Sequence, residues 1–355
     1  MSTLRTNAIL DASGGTTATV NGIPLRPGVL DPENRIINGA FDFWQRGTSF
    51  TGSGYGAVDR WRNDNSGGTV TQSQQSFTLG DTLGSNSPTF FLRQTVSGQT
   101  LASHRAFTFQ KIENVRSYAG QTITLLGWAK RSSGSGNMAV ECEQEFGTGG
   151  SPSSSVNSIG VTTVTLTSSW SPFAVTVTVP SISGKTLGTN GNDSFNIIFW
   201  TSAGSDFNAR TNTLGLQTIG VDLWGIHIKQ GTHTTSAVDL YRQPEPWPEL
   251  ARCEKYYQGF GVGAVGAEES TTKAGFGILL ITPMRAGPSI SLRSSSINVR
   301  VPAAATDRTM ASTLNASSAI GVRGGWLYLD ITGGVSGRTI IERSGTTMGY
   351  ADAEL

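Results

Sequence analysis

AVTVTVP, residues 174–180, alternates without a break: Val175, Val177 and Val179 fall on one side of an extended chain, Thr176 and Thr178 on the other. A period of two is the mark of a strand with one buried face, because successive side chains leave the backbone on opposite sides. Working outward, the same kind of segment recurs. QTITLLGWAK (121–130) lies between Gly120 and the turn-forming RSSGSGN, and VTTVTLT (161–167) alternates again. FNIIFW (195–200) is apolar on both faces, which predicts a central strand. VDLWGIHIKQ (221–230) is read with Trp224, Ile226 and Ile228 on one face and Val221, Leu223, Gly225 and His227 on the other. No helical periodicity separates these runs. They predict a β-sandwich of about 210 residues over 35–247.

The rest of the chain is organised around that block. Residues 1–34 are poor in large apolar groups and broken by Gly14-Gly15, Asn21-Gly22, Pro24, Pro27 and Pro32, so they predict an extended arm without a core of its own. Within it Thr17, Thr19 and Asn21 alternate against Ala18, Val20 and Gly22, ahead of Ile23. Such a strand can join the edge of another protein's sheet or pair with its own copies. PEPWPELARCEKYYQ (244–258) is the one helical reading, with Leu250, Cys253 and Tyr257 at helical spacing. It marks a hinge ahead of a smaller β unit over 248–355, whose strands include AGFGILLITPM, SISLRSS, SINVRVP, GGWLYLDIT and RTIIERSG. The predicted fold class is thus all-β in three parts: an extended N-terminal arm, a β-sandwich and a smaller C-terminal β-sandwich.

Composition agrees. The chain has 355 residues, 45 of them glycine, and only 14% are charged, against about 25% in ordinary soluble domains. That suits many short strands and turns. The net charge of +1 comes with no basic stripe, and Lys130-Arg131 is among the longest basic runs. Nucleic-acid binding, which rests on phosphate contacts, is not expected. No membrane span and no signal peptide are expected. Cys142 and Cys253 stand far apart in sequence and read as two reduced, buried thiols, as in a protein made in a reducing cytoplasm.

His104, His227 and His233 come without a Gly-x-Ser-x-Gly elbow, so no serine hydrolase is predicted. Glu141, Glu143 and Glu145 alternate onto one face of NMAVECEQEF, opposite Val140, Cys142 and Gln144. Like charges repel, so the expectation is a solvated face, with a calcium site and a glycosidase carboxylate as alternatives. RNDNSGG (62–68) reads as a turn, and the G-x-G-x-x-G at Gly261, Gly263 and Gly266 lacks the βαβ setting of a dinucleotide site. No zinc spacing occurs, and no cofactor is predicted. Trp61, in Asp59-Arg60-Trp61, could stack on a sugar but is read as core, as are Trp128 and Trp224. In GGWLYLDIT the aliphatic Leu327, Leu329 and Ile331 take the core face. Trp326, Tyr328 and Asp330 take the other, which is then a subunit interface, a glycan surface or a second core.

Several segments along the chain carry a family resemblance. RIINGAFDFWQRG with AVDRWR, then ITLLGWAK, the run from Trp170 to Pro180 and VDLWGIHIKQG resemble the jelly-roll domain of tailed-bacteriophage tail-fibre proteins, and are similar to carbohydrate-binding-module jelly rolls. PELARCEKYYQ resembles the hinge that follows it there. ITPMRAGPSISL and ADAEL resemble the start and end of the C-terminal β domain. MSTLRTNAILDASGG resembles the virion-attachment segment. The resemblance implies a non-enzymatic virion protein, made in the host cytoplasm, that forms a homotrimer. It would join other virion proteins through the arm carrying Thr17, Thr19, Val20 and Ile23 and bind host-surface polysaccharide. Head fibre, decoration or spacer protein, and glycan depolymerase, are the alternatives.

Overall fold

The computed structural model describes residues 34–302, 306–315, 318–332, 334, 336–342 and 347–355, together with the short strands Thr19–Val20 and Ile23–Pro24. Those two strands pair antiparallel, Val20 opposite Ile23 and Thr19 opposite Pro24, so the chain folds back there instead of running straight. Thr17 and the remainder of the proposed arm lie outside the described residues.

Two antiparallel sheets make the larger sandwich. One runs, in spatial order, Val156–Leu166, Gly136–Glu145, Ser194–Ala203, Arg105–Glu113 and Arg62–Ser66. The other runs Ser171–Thr178, Thr122–Arg131, Ile219–Gln230, Phe90–Ser97, Thr69–Ser76 and Ser49–Thr51. FNIIFW lies in the middle strand of the first sheet, and every residue of Ser194–Ala203 is buried. Phe195, Ile197 and Phe199 enter the core between the sheets, where Phe41, Trp61, Val175, Val177 and Val179 meet them. Ile198 and Trp200 face outward, into a smaller cluster with Phe107 and Phe109.

Two expectations fail here, each for a local reason. Trp224 does not share a face with Ile226 and Ile228. The register with the neighbouring strand slips between Trp224 and His227, at Gly225, whose φ of 65° is open to glycine. The bulge inserts one residue, so Val221 and Leu223 point into the core before it and Ile226 and Ile228 after it. Trp224 turns to the outer face against Phe91, Leu83 and Tyr241. His227 correspondingly leaves the face of Val221 and Leu223 and stacks on Tyr241, 4.8 Å between ring centres. The second failure is RNDNSGG. Arg62–Ser66 is a strand paired with Arg105–Phe109, and only Gly67-Gly68 turn. Polar residues persist inside because they satisfy one another: Gln94 Nε2 donates to Asn63 Oδ1 (2.5 Å), and Thr201 Oγ1 donates to Gln94 Oε1 (2.6 Å).

Helix Pro246–Glu254 follows, and a second core gathers Phe276, Leu327, Leu329, Ile331, Val299 and Ile340. It shares no residue with the first. Its larger sheet orders Lys273–Leu279, Val265–Glu268, Arg338–Glu342, Ser296–Val301, Thr306–Leu314, Gly324–Ile331 and Ala319–Gly321. A further pairing of Lys273–Leu279 with Gly324–Ile331 closes it on itself. Tyr257–Phe260, Gly349–Asp352 and Ser289–Leu292 form the smaller sheet beside it.

Between the two cores the packing is polar. Asp42 and Asp59 are both pushed up to about 6, chiefly by burial, although Gln243 donates to Asp42 and Arg46 faces Asp59. The unfolded chain releases these protons near the ordinary value of 3.8. The folded chain keeps them to about pH 6, so the stability they give is full below pH ~4 and is lost as pH rises through 6. Asp42→Asn is therefore expected to remove about 2 kcal/mol of the fall in unfolding free energy between pH 4.5 and 7. Urea titrations at several pH values measure it; an unchanged pH slope in the variant would refute it.

Candidate functional site: an aromatic shelf beside a glycine trough

Strand Gly324–Ile331 sends Leu327, Leu329 and Ile331 into the second core and presents Trp326 and Tyr328 outward. Trp326 is 56% exposed. The two rings are close to parallel, 16° between planes, with centres 6.4 Å apart. The two side chains thus stand together as one outward aromatic pair. Its backbone is pinned from behind: Tyr328 N–H donates to Ser318 Oγ (2.9 Å), and Ser318 Oγ donates to the Tyr328 carbonyl (2.9 Å).

The neighbouring strand explains why the rings stand clear. Gly277 is directly opposite Trp326, Gly275 opposite Tyr328 and Lys273 opposite Asp330. A Cβ at Gly277 would meet nothing within 4 Å, whereas one at Gly275 would approach the Tyr328 ring to 2.9 Å. The absence of a side chain at Gly277 leaves an open notch beside Trp326, while the Tyr328 ring and Glu269 close over the buried Gly275. At one end lies a polar rim: Lys273 Nζ sits 4.1 Å from the Tyr328 ring centre and 3.5 Å from Glu269, and Asn315 Nδ2 donates to Asp330 (2.5 Å). At the other end Leu279 and Ile281 are each 82% exposed. Flat aromatic faces stack on the C–H faces of pyranose rings, and a rim of amide, carboxylate and ammonium groups hydrogen-bonds hydroxyls.

Trp326 and Tyr328 are thus brought together, with Asp330 at the rim. Sequence reasoning missed the rest of the site. AGFGILLI carried the signal, since Gly275, Gly277, Leu279 and Ile281 share one phase of the strand and Ala274, Phe276, Ile278 and Leu280 the other. An apolar pair in phase with two glycines, opposite an aromatic pair, marks an uncovered face.

The carboxylate row behaves differently from its expectation. Glu141 is wholly buried, not solvated. It accepts hydrogen bonds from Trp200 Nε1 (2.8 Å), the Ser158 N–H (2.7 Å) and Arg210 Nε (2.8 Å). Glu143 lies 3.8 Å from Arg210, and burial pushes its carboxyl up. Burial also opposes ionisation of Glu145, but Lys111 at 2.5 Å outweighs it and holds the carboxyl below the usual range. The cover is the segment after Ala203: Phe207 packs on Trp200, 5.4 Å between ring centres, and Arg210 reaches across the carboxylates. Repulsion is relieved by cations from outside the strand, which an isolated strand pattern cannot reveal. Glu141 is closed to a sugar chain, and among the described residues no three His, Cys, Asp or Glu stand as a metal-holding group.

The remaining candidates are structural in placement. Trp61 is fully buried in the first core. Trp128 is half-buried on the outer face of its sheet, near Trp224. Thr100 and Leu101 N–H groups donate to His104 Nδ1, and His233 Nε2 lies 2.8 Å from the Gln230 carbonyl. Both cysteines are buried, and burial raises both thiols.

No family model and no curated protein matches the chain. Among solved structures it is similar to carbohydrate-binding modules. One is a family 11 module from Clostridium thermocellum in complex with a β-1,3-1,4-mixed-linked tetrasaccharide (TM-score 0.29, 10% identity, 51% of this chain and 95% of that one). Another is the CBM22-1 xylan-binding domain from Paenibacillus barcinonensis Xyn10C (TM-score 0.29, 12% identity, 52% and 95%). A third is TmCBM61 in complex with β-1,4-galactotriose (TM-score 0.28, 8% identity, 56% and 99%). At scores of this size the likeness carries no functional argument, and the fold stands on the strand pairings above.

Proposed function

We propose that this chain is a non-enzymatic attachment protein of a tailed-phage particle, of the tail-fibre type, that holds host-surface polysaccharide on the Trp326–Tyr328 shelf. The observation that carries the reading is the pair of near-parallel outward rings beside the open notch at Gly277. A linear glycan lies along such a surface with its rings stacked and its hydroxyls on the rim. Attachment to the particle falls to residues 1–34, with Thr17, Thr19, Val20 and Ile23 in the anchoring segment.

Trp326→Ala is expected to weaken retention on host capsule or lipopolysaccharide at least tenfold, about 1.4 kcal/mol. Affinity electrophoresis in the polysaccharide reads it. Equal retention of the variant and the parent would remove the shelf from the proposal. Sizing the polysaccharide after incubation tests the non-enzymatic part, since release of short oligosaccharides contradicts it.

A second reading is favoured by Leu279 and Ile281, which extend the shelf into a broader apolar surface of the kind that marks subunit contacts. There the face joins copies of the chain in a homotrimer, and the protein serves as head fibre, decoration or spacer without binding glycan. Sedimentation separates the two: Trp326→Ala then lowers the assembly state instead of the affinity.

A further inference from the structure

The junction between the sandwich and the shelf-bearing unit is built from charge. Arg60 comes from the sandwich, with its side chain 1% exposed, in a loop where its own φ is +71°. Its guanidinium lies 3.4 Å from the Tyr256 ring centre, pairs with Glu354 and donates to the Lys111 carbonyl (2.7 Å). Arg46, 5% exposed, lies 3.7 Å from the Tyr257 ring centre and reaches Asp59 (3.5 Å), Asp352 (3.1 Å) and Glu354 (3.3 Å). Two stacked arginines thus close on carboxylates from both sides.

A second arm runs in the opposite sense. Glu113 of the sandwich receives Lys255 Nζ (2.6 Å) and Arg285 Nε (2.8 Å). Arg285 also donates to the Gly191 carbonyl (2.9 Å). Helix Pro246–Glu254 adds Arg252, which donates to the Ile36 carbonyl (3.0 Å). The apolar share is small: Ile37, Cys253 and Tyr256, with Phe43 against them. Units joined by a modest polar interface move relative to one another by default. Here the opposed charges are desolvated and aimed, which fixes one geometry.

We infer that Glu354 and Glu113 are the two bolts of an electrostatic latch that makes the sandwich and the shelf-bearing unit one rigid body, and that neutralising either bolt turns the junction into a hinge. The latch sets the direction in which the shelf faces, whatever the shelf holds. Removing the charge of Glu354 leaves Arg60 buried beside a ring without its counter-ion, and the cheapest relief is for the units to part and admit water.

The test uses the full chain with spin labels on cysteines introduced at Leu101 in the sandwich and Val262 beyond the helix, both well exposed. Cys142 is buried in the first core and stays, and Cys253, which lies in the junction, is replaced by alanine in parent and variants alike. Pulsed electron resonance is expected to give one narrow distance distribution in the parent and a distribution at least twice as wide in Glu354→Gln. Glu113→Gln breaks the other arm at a side chain 32% exposed and is expected to widen it as well. It serves where the first variant does not fold. A distribution as narrow as the parent's in a folded variant of either kind overturns the latch.

Discussion

Arg210→Ala is expected to cost about 3 kcal/mol of folding stability, the lower end of the range for removing one partner of a buried pair. Glu141 is wholly buried, so the lost guanidinium leaves a carboxylate that keeps the Trp200 and Ser158 donors but no counter-charge. The lower end applies because Arg210 is itself 24% exposed and water reaches its partner once it is gone. Urea unfolding measures the loss. Glu141→Gln in the same chain is expected to recover part of it, because an amide there needs no cation. If the double variant is no more stable than Arg210→Ala, the charge is not what Arg210 balances.

Trp61→Ala is expected to cost about 3–5 kcal/mol, as for other large aromatic side chains deleted from cores. Trp61 is fully buried and packs on Phe41 (5.2 Å between ring centres) and Phe199 (6.0 Å), so its loss opens a space that both rings border. Its Nε1 also donates to the Asn38 carbonyl at 3.0 Å. Trp61→Phe keeps part of the packing and drops that bond, and its cost should fall well below that of alanine. Thermal unfolding of the pair separates volume from hydrogen bonding. A loss under 1 kcal/mol for Trp61→Ala would return this residue to the list of ligand contacts.

How much of this was legible depends on whether a residue's environment comes from its own strand. Val175, Val177 and Val179, and Leu327, Leu329 and Ile331, obey the period of two, and both cores follow from it. Trp326 and Tyr328 were legible for the same reason, as the phase left over. Trp224 was not, because a single glycine bulge reverses phase without altering composition. Glu141 was not, because Arg210 arrives from a segment 69 residues away. Asn63 read as turn because a strand residue that is polar and buried finds its partner, Gln94, only in the opposite sheet. Nor did any local pattern announce Glu354, whose role depends on two arginines near the other end of the described chain.

That last separation has a consequence for synthesis. Arg60 precedes Glu354 by 294 residues. A ribosome adding about 5–20 residues per second needs roughly 15–60 s to travel between them. The last sandwich strand ends at Gln230, so for roughly 6–25 s of that interval all the sandwich strands exist as polypeptide while the guanidinium in their loop lacks its carboxylate. A nascent sandwich then either stays ajar at residues 57–62 or holds Arg60 in water, and it is open to proteases and to its neighbours on the polysome. Maturation of the first unit is then expected to wait on delivery of the second.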